Sequence, residues 1–178
     1  AVVAEWGYVG DEVADPTPAK MQDMRDQTQF PPSGLGGFLA LCVGRWMSLR
    51  SRFLINASEQ EWHSSERGEV EVSAFVVAGV PCLEVTPAEG GTSTLTFQAD
   101  GCLAIHASGT EQAGHWHLLP DASLELHLKA KNGDQVLERI WFTKPNLRLR
   151  STTAVGDDGQ PRQGSFCSEI RRVSRPQS

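Results

Sequence analysis

Thr92-Ser93-Thr94-Leu95-Thr96-Phe97-Gln98-Ala99-Asp100-Gly101-Cys102-Leu103-Ala104-Ile105-His106-Ala107 contains two short runs, 92–98 and 102–107, on either side of an Asp-Gly pair. Leu95 and Phe97 alternate with threonines in the first run, and Leu103 and Ile105 alternate with small or polar residues in the second. A period of two reads as a half-buried strand, and Asp-Gly tolerates the positive φ of a tight turn, so the stretch predicts a β-hairpin.

The same pattern extends in both directions. Strand-like runs are expected at 46–55, 69–77, 81–86, 114–119, 123–129, 135–142, 147–154 and 164–172, which with the first two makes ten strands. Gly68, Gly79, Gly90-Gly91, Asn132-Gly133 and Asp157-Asp158-Gly159 punctuate them. Upstream, Ser33 is placed as an N-cap, and Leu35, Phe38, Leu39 and Cys42 follow at helical spacing, so one short helix runs to about Val43. About ten sequential antiparallel strands cannot stay flat with both edges open. The predicted fold is therefore all-β with one short N-terminal helix, a closed up-and-down antiparallel β-barrel with room inside for a ligand. An immunoglobulin-like sandwich is the rival, but the Cys-Trp-Cys spacing it needs is missing.

Residues 1–33 read as a loosely docked arm, interrupted at Asp15-Pro16-Thr17-Pro18 and stopped by Pro31-Pro32, and residues 34–178 as a single barrel domain. The chain starts at Ala1 without an initiator methionine, which fits a processed or trimmed precursor and equally a cloning decision. Its 178 residues carry 16 Lys+Arg against 22 Asp+Glu, a net charge of −6. That balance argues against nucleic acid or an anionic membrane as the main partner. No run approaches the roughly 18 consecutive apolar residues of a membrane-spanning helix. Cys42, Cys82, Cys102 and Cys167 lie far apart and form no C-x-x-C, which points to a reducing compartment rather than a disulfide framework or zinc ribbon.

Few motifs carry chemistry. His115 and His117 share one face of a strand but lack a third ligand at recognisable spacing, so they read as barrel-wall histidines and no metal is expected. Ser165 is not in a G-x-S-x-G elbow, and Cys167 reads as a small, half-buried thiol. Gly44-Arg45-Trp46 fits two descriptions equally: a helix C-cap glycine followed by a core Trp, or the G-x-W that opens the first strand of lipocalins, whose Trp plugs the closed end. The richest stretch is Glu138-Arg139-Ile140-Trp141-Phe142-Thr143-Lys144-Pro145-Asn146-Leu147-Arg148-Leu149-Arg150. By residues alone it is either an exposed arginine-striped strand pair or a cavity wall for a long, flat, anionic ligand, with aromatics for its faces, arginines for its carboxylates and a glutamate for its N–H groups.

Glu138-Arg139-Ile140-Trp141-Phe142, then Pro145-Asn146-Leu147-Arg148-Leu149-Arg150, then Ser165-Phe166-Cys167-Ser168-Glu169-Ile170-Arg171 resembles the C-terminal signature of the S-type phycobiliprotein lyases, the CpcS/CpeS family. Gly44-Arg45-Trp46 with Ser48 and Arg50 is similar to that family's N-terminal motif. The likeness spans roughly residues 38–172; the stretch from about 78 to 120 is shorter than the family pattern, and the arm is additional. The resemblance implies a lipocalin-like barrel, similar to fatty-acid-binding proteins. Such a barrel binds an open-chain tetrapyrrole and delivers it as a thioether to a cysteine of an apo-phycobiliprotein subunit. The bilin is then a substrate, phycoerythrobilin or phycocyanobilin with the former favoured, and no cofactor is expected. In that frame Glu138 takes the catalytic role at the pyrrole nitrogens, Arg148 pairs with a propionate, Arg150 is a second such candidate, and Trp141 and Trp46 complete the bilin-binding set as wall or plug residues. A plastid stroma is the favoured location over a cyanobacterial cytoplasm, and a homodimer is one expectation. The rival functions are a bilin or fatty-acid carrier without transfer activity, and an interaction module whose arginine stripe docks an acidic partner.

The assignment makes a geometric demand. An even loop at Lys144-Pro145 would put Glu138 and Arg148 on opposite faces of the sheet, whereas a three-residue loop from Lys144 to Asn146, or a bulge, brings Glu138, Ile140, Phe142, Arg148 and Arg150 to one face. The odd register is predicted.

Overall fold

A computed structural model describes residues 29–173 of the chain. Most of the expected arm lies outside the described residues. Among the described residues one helix, α1 (Gly34–Cys42), precedes ten strands: β1 (Gly44–Leu54), β2 (His63–Val77), β3 (Val80–Pro87), β4 (Ser93–Phe97), β5 (Cys102–Ala107), β6 (Thr110–Leu118), β7 (Leu124–Lys129), β8 (Gln135–Lys144), β9 (Leu147–Val155) and β10 (Pro161–Arg171). Each strand pairs antiparallel with the next, and β1 pairs with β10 to close the barrel. The expected meander is therefore the observed topology, and no edge is left open.

Several strands begin earlier than the sequence reading placed them, β2 by the most. Strand β2 begins at His63 rather than near 69, because Ser64 to Gly68 have no apolar alternation and are strand only through pairing with Ser48 to Arg52 of β1. Ser33 stands at the N-cap in extended conformation, but its side chain makes no capping bond.

Helix α1 closes one end of the barrel. Its buried Phe38, Leu39 and Cys42 face the core, and Trp46 beneath them is fully buried. The indole Nε1–H donates to the Cys42 carbonyl at 2.8 Å, tying the start of β1 to the end of the helix. Arg171 at the end of β10 reinforces the closure by donating to the carbonyls of Leu41 and Val43, and to the Asn146 side chain at 3.1 Å. Gly44 is needed where that guanidinium passes: a Cβ there would lie 2.8 Å from Arg171 Nη1. Its φ of 139° is not that of a left-handed helix cap, while Trp46 both joins the core cluster and stands at the end that the helix closes, so the fold combines the two descriptions of Gly44-Arg45-Trp46.

The β8–β9 hairpin has the odd parity, through a bulge, the second of the two devices expected. Lys144 pairs with Leu147 across a two-residue Pro145-Asn146 turn, yet Phe142 pairs with Arg148, Ile140 with Arg150 and Glu138 with Thr152. Thr143 is the extra residue of a bulge, and it restores the shared inward face.

At Gly114 on β6 the neighbouring strand comes so close that a Cβ would lie 2.4 Å from the His127 carbonyl oxygen, whereas a Cβ at Gly164 on β10 meets nothing within 4 Å. Gly114→Ala should lower the urea-unfolding free energy by about 1–3 kcal/mol through forced strand displacement. Gly164→Ala should stay within about 0.5 kcal/mol of the parent.

Candidate functional site

The barrel encloses a cavity of about 250 Å³. Its two walls differ in kind. One is apolar, built by inward residues of β3 to β7 such as Leu83, Leu95, Phe97, Ile105 and Leu126. The other, on β8, β9, β10 and β1, carries Glu138, Arg148, Arg150, Glu169 and Arg50. The cavity opens between Glu66 to Glu69 on β2 and the Pro87 to Glu89 segment after β3, where the lining residues become exposed.

Alternation places these charges. On β9, Arg148 and Arg150 are two residues apart and face inward, as do Cys167 and Glu169 on β10; Arg150 lies opposite Cys167, and Arg148 opposite Glu169. Arg148 Nε donates to Glu169 Oε2 at 2.5 Å, and Arg150 Nη2 lies 3.6 Å from the same oxygen. Arg150 Nη1 donates to Glu138 Oε1 at 2.5 Å, while Thr152 Oγ1 donates to Glu138 Oε2 at 3.5 Å. Glu138, Arg148 and Glu169 are only 2–3% exposed. Two cations and two anions thus form a neutral chain away from water, the condition under which buried charges are tolerated.

Burial, the largest single influence on Glu169, pushes its carboxyl up. The charges of Arg148 and then Arg150, with the Arg148 hydrogen bond and the more distant Arg50, together outweigh burial and bring it down to about 2. Burial raises the Cys42 thiol, and Arg148 beside it does not offset the effect. Burial likewise raises Cys167. All four cysteines are free, but neither of these two inward thiols has the thiolate character of a nucleophile.

Of the residues singled out by sequence, Glu138, Arg148 and Arg150 come together on the cavity wall. Trp141 does not. Because Ile140 and Phe142 point inward, Trp141 between them points outward, where its ring stacks edge-on against Phe166 at 6.2 Å. Its place in the bilin-binding set is therefore corrected: it belongs to the outer surface. Trp46 is also not in the cavity wall. It lies in the plug, with the Arg148 guanidinium 4.7 Å and that of Arg171 4.3 Å from its ring centroid, so it supports Arg148 from below. His115 and His117 are exposed on the outer face, and no group of three His, Cys, Asp or Glu side chains suited to a metal occurs among the described residues.

Sequence reasoning missed the role of Glu169, which it quoted only within a motif. The signal was there: Cys167, Glu169 and Arg171 repeat every second residue, and a short β9–β10 turn brings them opposite Arg150 and Arg148.

Comparison with known proteins places these residues in context. The family profile described as CpeS-like protein matches residues 92–172. A curated relative from Paulinella chromatophora, "Chromophore lyase CpcS/CpeS 1", is 43% identical over 150 residues, covering 83% of this chain and 94% of its own length. "Chromophore lyase CpcS/CpeS 2" from Synechococcus sp. (strain JA-3-3Ab) is 39% identical over 69 residues, covering 39% of this chain and 36% of its own. Among solved structures, the S-type phycobiliprotein lyase CPES from Guillardia theta superposes with a TM-score of 0.57 over 80% of this chain and 95% of that one, a likeness of fold at 21% identity.

Removing the carboxylate that two arginines share should be costly. Glu169→Gln is expected to lose about 3–5 kcal/mol of unfolding free energy at neutral pH, because it leaves buried positive charge uncompensated. Since the folded-state carboxyl lies at about 2 and its ordinary value is 4.5, its stabilisation is complete above 4.5 and disappears as pH falls through 2. Acid titration followed by circular dichroism should show a steeper loss of stability across that window in the parent than in the variant.

Proposed function

Because the chain belongs to the CpcS/CpeS family of chromophore lyases, we propose that it binds an open-chain bilin inside the barrel and passes it to a cysteine of an apo-phycobiliprotein subunit. The observation that carries this reading is the two-faced cavity, with apolar side chains on one wall and Glu138 and its arginines on the other. A flat tetrapyrrole has matching halves: conjugated rings to lay against apolar side chains, and pyrrole N–H groups and propionates to meet the ionic wall. At about 250 Å³ the cavity is smaller than the roughly 300–1,000 Å³ of most small-molecule sites, so a bilin held there would extend out through the mouth beside Gly68 and Pro87.

The reaction is an addition. The acceptor thiol adds across the ethylidene double bond of the A ring: sulfur bonds to the exocyclic carbon, a proton ends on the ring carbon, and nothing leaves. The nucleophile comes from the acceptor, in keeping with inward thiols that burial keeps protonated. The lyase contributes position and charge. Glu138 faces the ring nitrogens, where its carboxylate stabilises the protonated and more electrophilic bilin. Arg150 on one of its oxygens and Thr152 on the other fix its orientation.

Mixing the protein with phycoerythrobilin or phycocyanobilin and an apo-phycobiliprotein subunit tests this directly. A lyase yields a covalent, fluorescent adduct that survives denaturation; a carrier forms only a reversible complex, and that result would replace the transfer reading. Glu138→Gln should still bind bilin, but with absorption moved toward the unprotonated form and transfer slowed about a hundredfold or more.

A further inference from the structure

On the wall formed by β8, β9, β10 and β1, the ion pairs leave Arg50 without a partner, and Arg67 of β2, at the mouth, is likewise outside the ion pairs of the described residues. Arg148 is bonded to Glu169, and Arg150 to Glu138 with Glu169 nearby, so those four charges cancel. Arg52 has Glu66 at 3.9 Å. Arg50 also lines the cavity, is half-buried, and has no ion-pair partner among the described residues. Its charge draws the Cys167 thiol down slightly, against the larger effect of burial, and acts on Glu169 at longer range.

Register shows where Arg50 points: Glu66 of β2 lies opposite it on one side, with its carboxylate turned to Arg52. Arg50 on β1 lies opposite Cys167 on β10, and Cys167 lies opposite Arg150 on β9. The two arginines therefore flank a small side chain at the same height of the barrel, two strand spacings or about 10 Å apart at the backbone. Both are long enough to converge over it. Arg150 Nε is buried with no hydrogen-bond partner. A buried donor without an acceptor is costly, and an arriving acceptor recovers that cost. Above Cys167 the wall thus offers one guanidinium outside any ion pair of the described residues and one orphan N–H, which together suit a carboxylate.

We infer that Arg50, assisted by Arg150 Nε, is the carboxylate anchor of this cavity and holds a propionate of the bilin above Cys167. The inference rests on the bilin reading and moves the anchor from Arg148, whose charge is already taken by Glu169. Arg148 is a positioning residue: it keeps Glu169 and, through Trp46, the barrel floor in place. A neutral tetrapyrrole would lack the partner for Arg50, so this residue selects the free acid.

The test compares one bilin as its free acid and as its dimethyl ester, in which both propionates are blocked. Binding is followed by the absorption of the bound pigment in the parent, Arg50→Ala, Arg50→Lys and Arg148→Ala. The parent should prefer the acid by about ten- to hundredfold, in the range of a charge-assisted hydrogen bond in a partly dry site. Arg50→Ala should lose that preference by weakening acid binding alone, with ester affinity within about threefold of the parent. Arg50→Lys should keep part of the preference, because it retains the charge without the planar fork. Arg148→Ala should lower thermal stability and weaken acid and ester equally. Equal loss for both ligands in Arg50→Ala, or loss of the acid preference in Arg148→Ala with Arg50→Ala unchanged, would overturn the anchor assignment while leaving bilin binding intact. A parent that binds neither pigment would overturn the bilin reading itself.

Discussion

The carboxylate of Glu169, held between Arg148 and Arg150 with almost no access to water, is the interaction on which the rest of the molecule depends. An ionised side chain loses several kcal/mol of hydration when buried, and only close partners of opposite sign return it. Those partners must arrive on fixed faces of neighbouring strands. The pairing of β9 with β10 supplies Arg148 opposite Glu169, and the bulged pairing of β8 with β9 supplies Glu138 within reach of Arg150. A slip of one residue in either pairing would strand a buried charge, so the ionic wall fixes the register as much as the register builds the wall.

The closed end answers the same demand. Trp46 carries the Arg148 guanidinium over its ring and is tied to helix α1 through Cys42, while Arg171 ties the last strand to the helix and to the β8–β9 turn. Helix, first strand, last strand and hairpin meet around one indole. Further up, the apolar strands β3 to β7 carry no inward charge comparable to the other wall, and the asymmetry between the two halves is what gives the cavity a direction.

Much of this is legible in the sequence alone. Alternating apolar residues and Asp-Gly or Asn-Gly turns mark strands because the side-chain period of a strand and the positive φ of a tight turn are local properties, and closure follows from the number of strands. What eluded the sequence is what depends on a neighbour. Residues 63–68 look like a loop because they pair on one side only, with β1. The parity of the hairpin could be argued from the need to gather Glu138 and Arg148, but its source, one extra residue at Thr143, is a matter of hydrogen-bond geometry that composition does not display. Trp141 was drawn into the site by its chemistry, although its position between Ile140 and Phe142 had already set it on the other face. Glu169 was overlooked for the converse reason: its chemistry is ordinary, and its importance comes from what lies across the strand.

The bulge at Thr143 makes this turn behave like a reading frame. Most surface turns absorb the gain or loss of a residue over evolutionary time, because the strands on either side keep their faces. Here an odd-numbered insertion or deletion between Phe142 and Leu147 would exchange the two sides of one strand against the other, moving a pair of arginines to the exterior or a glutamate out of their reach. Even-numbered changes preserve the arrangement. Among descendants of this sequence that keep the ionic wall, turn lengths at this corner should drift in steps of two.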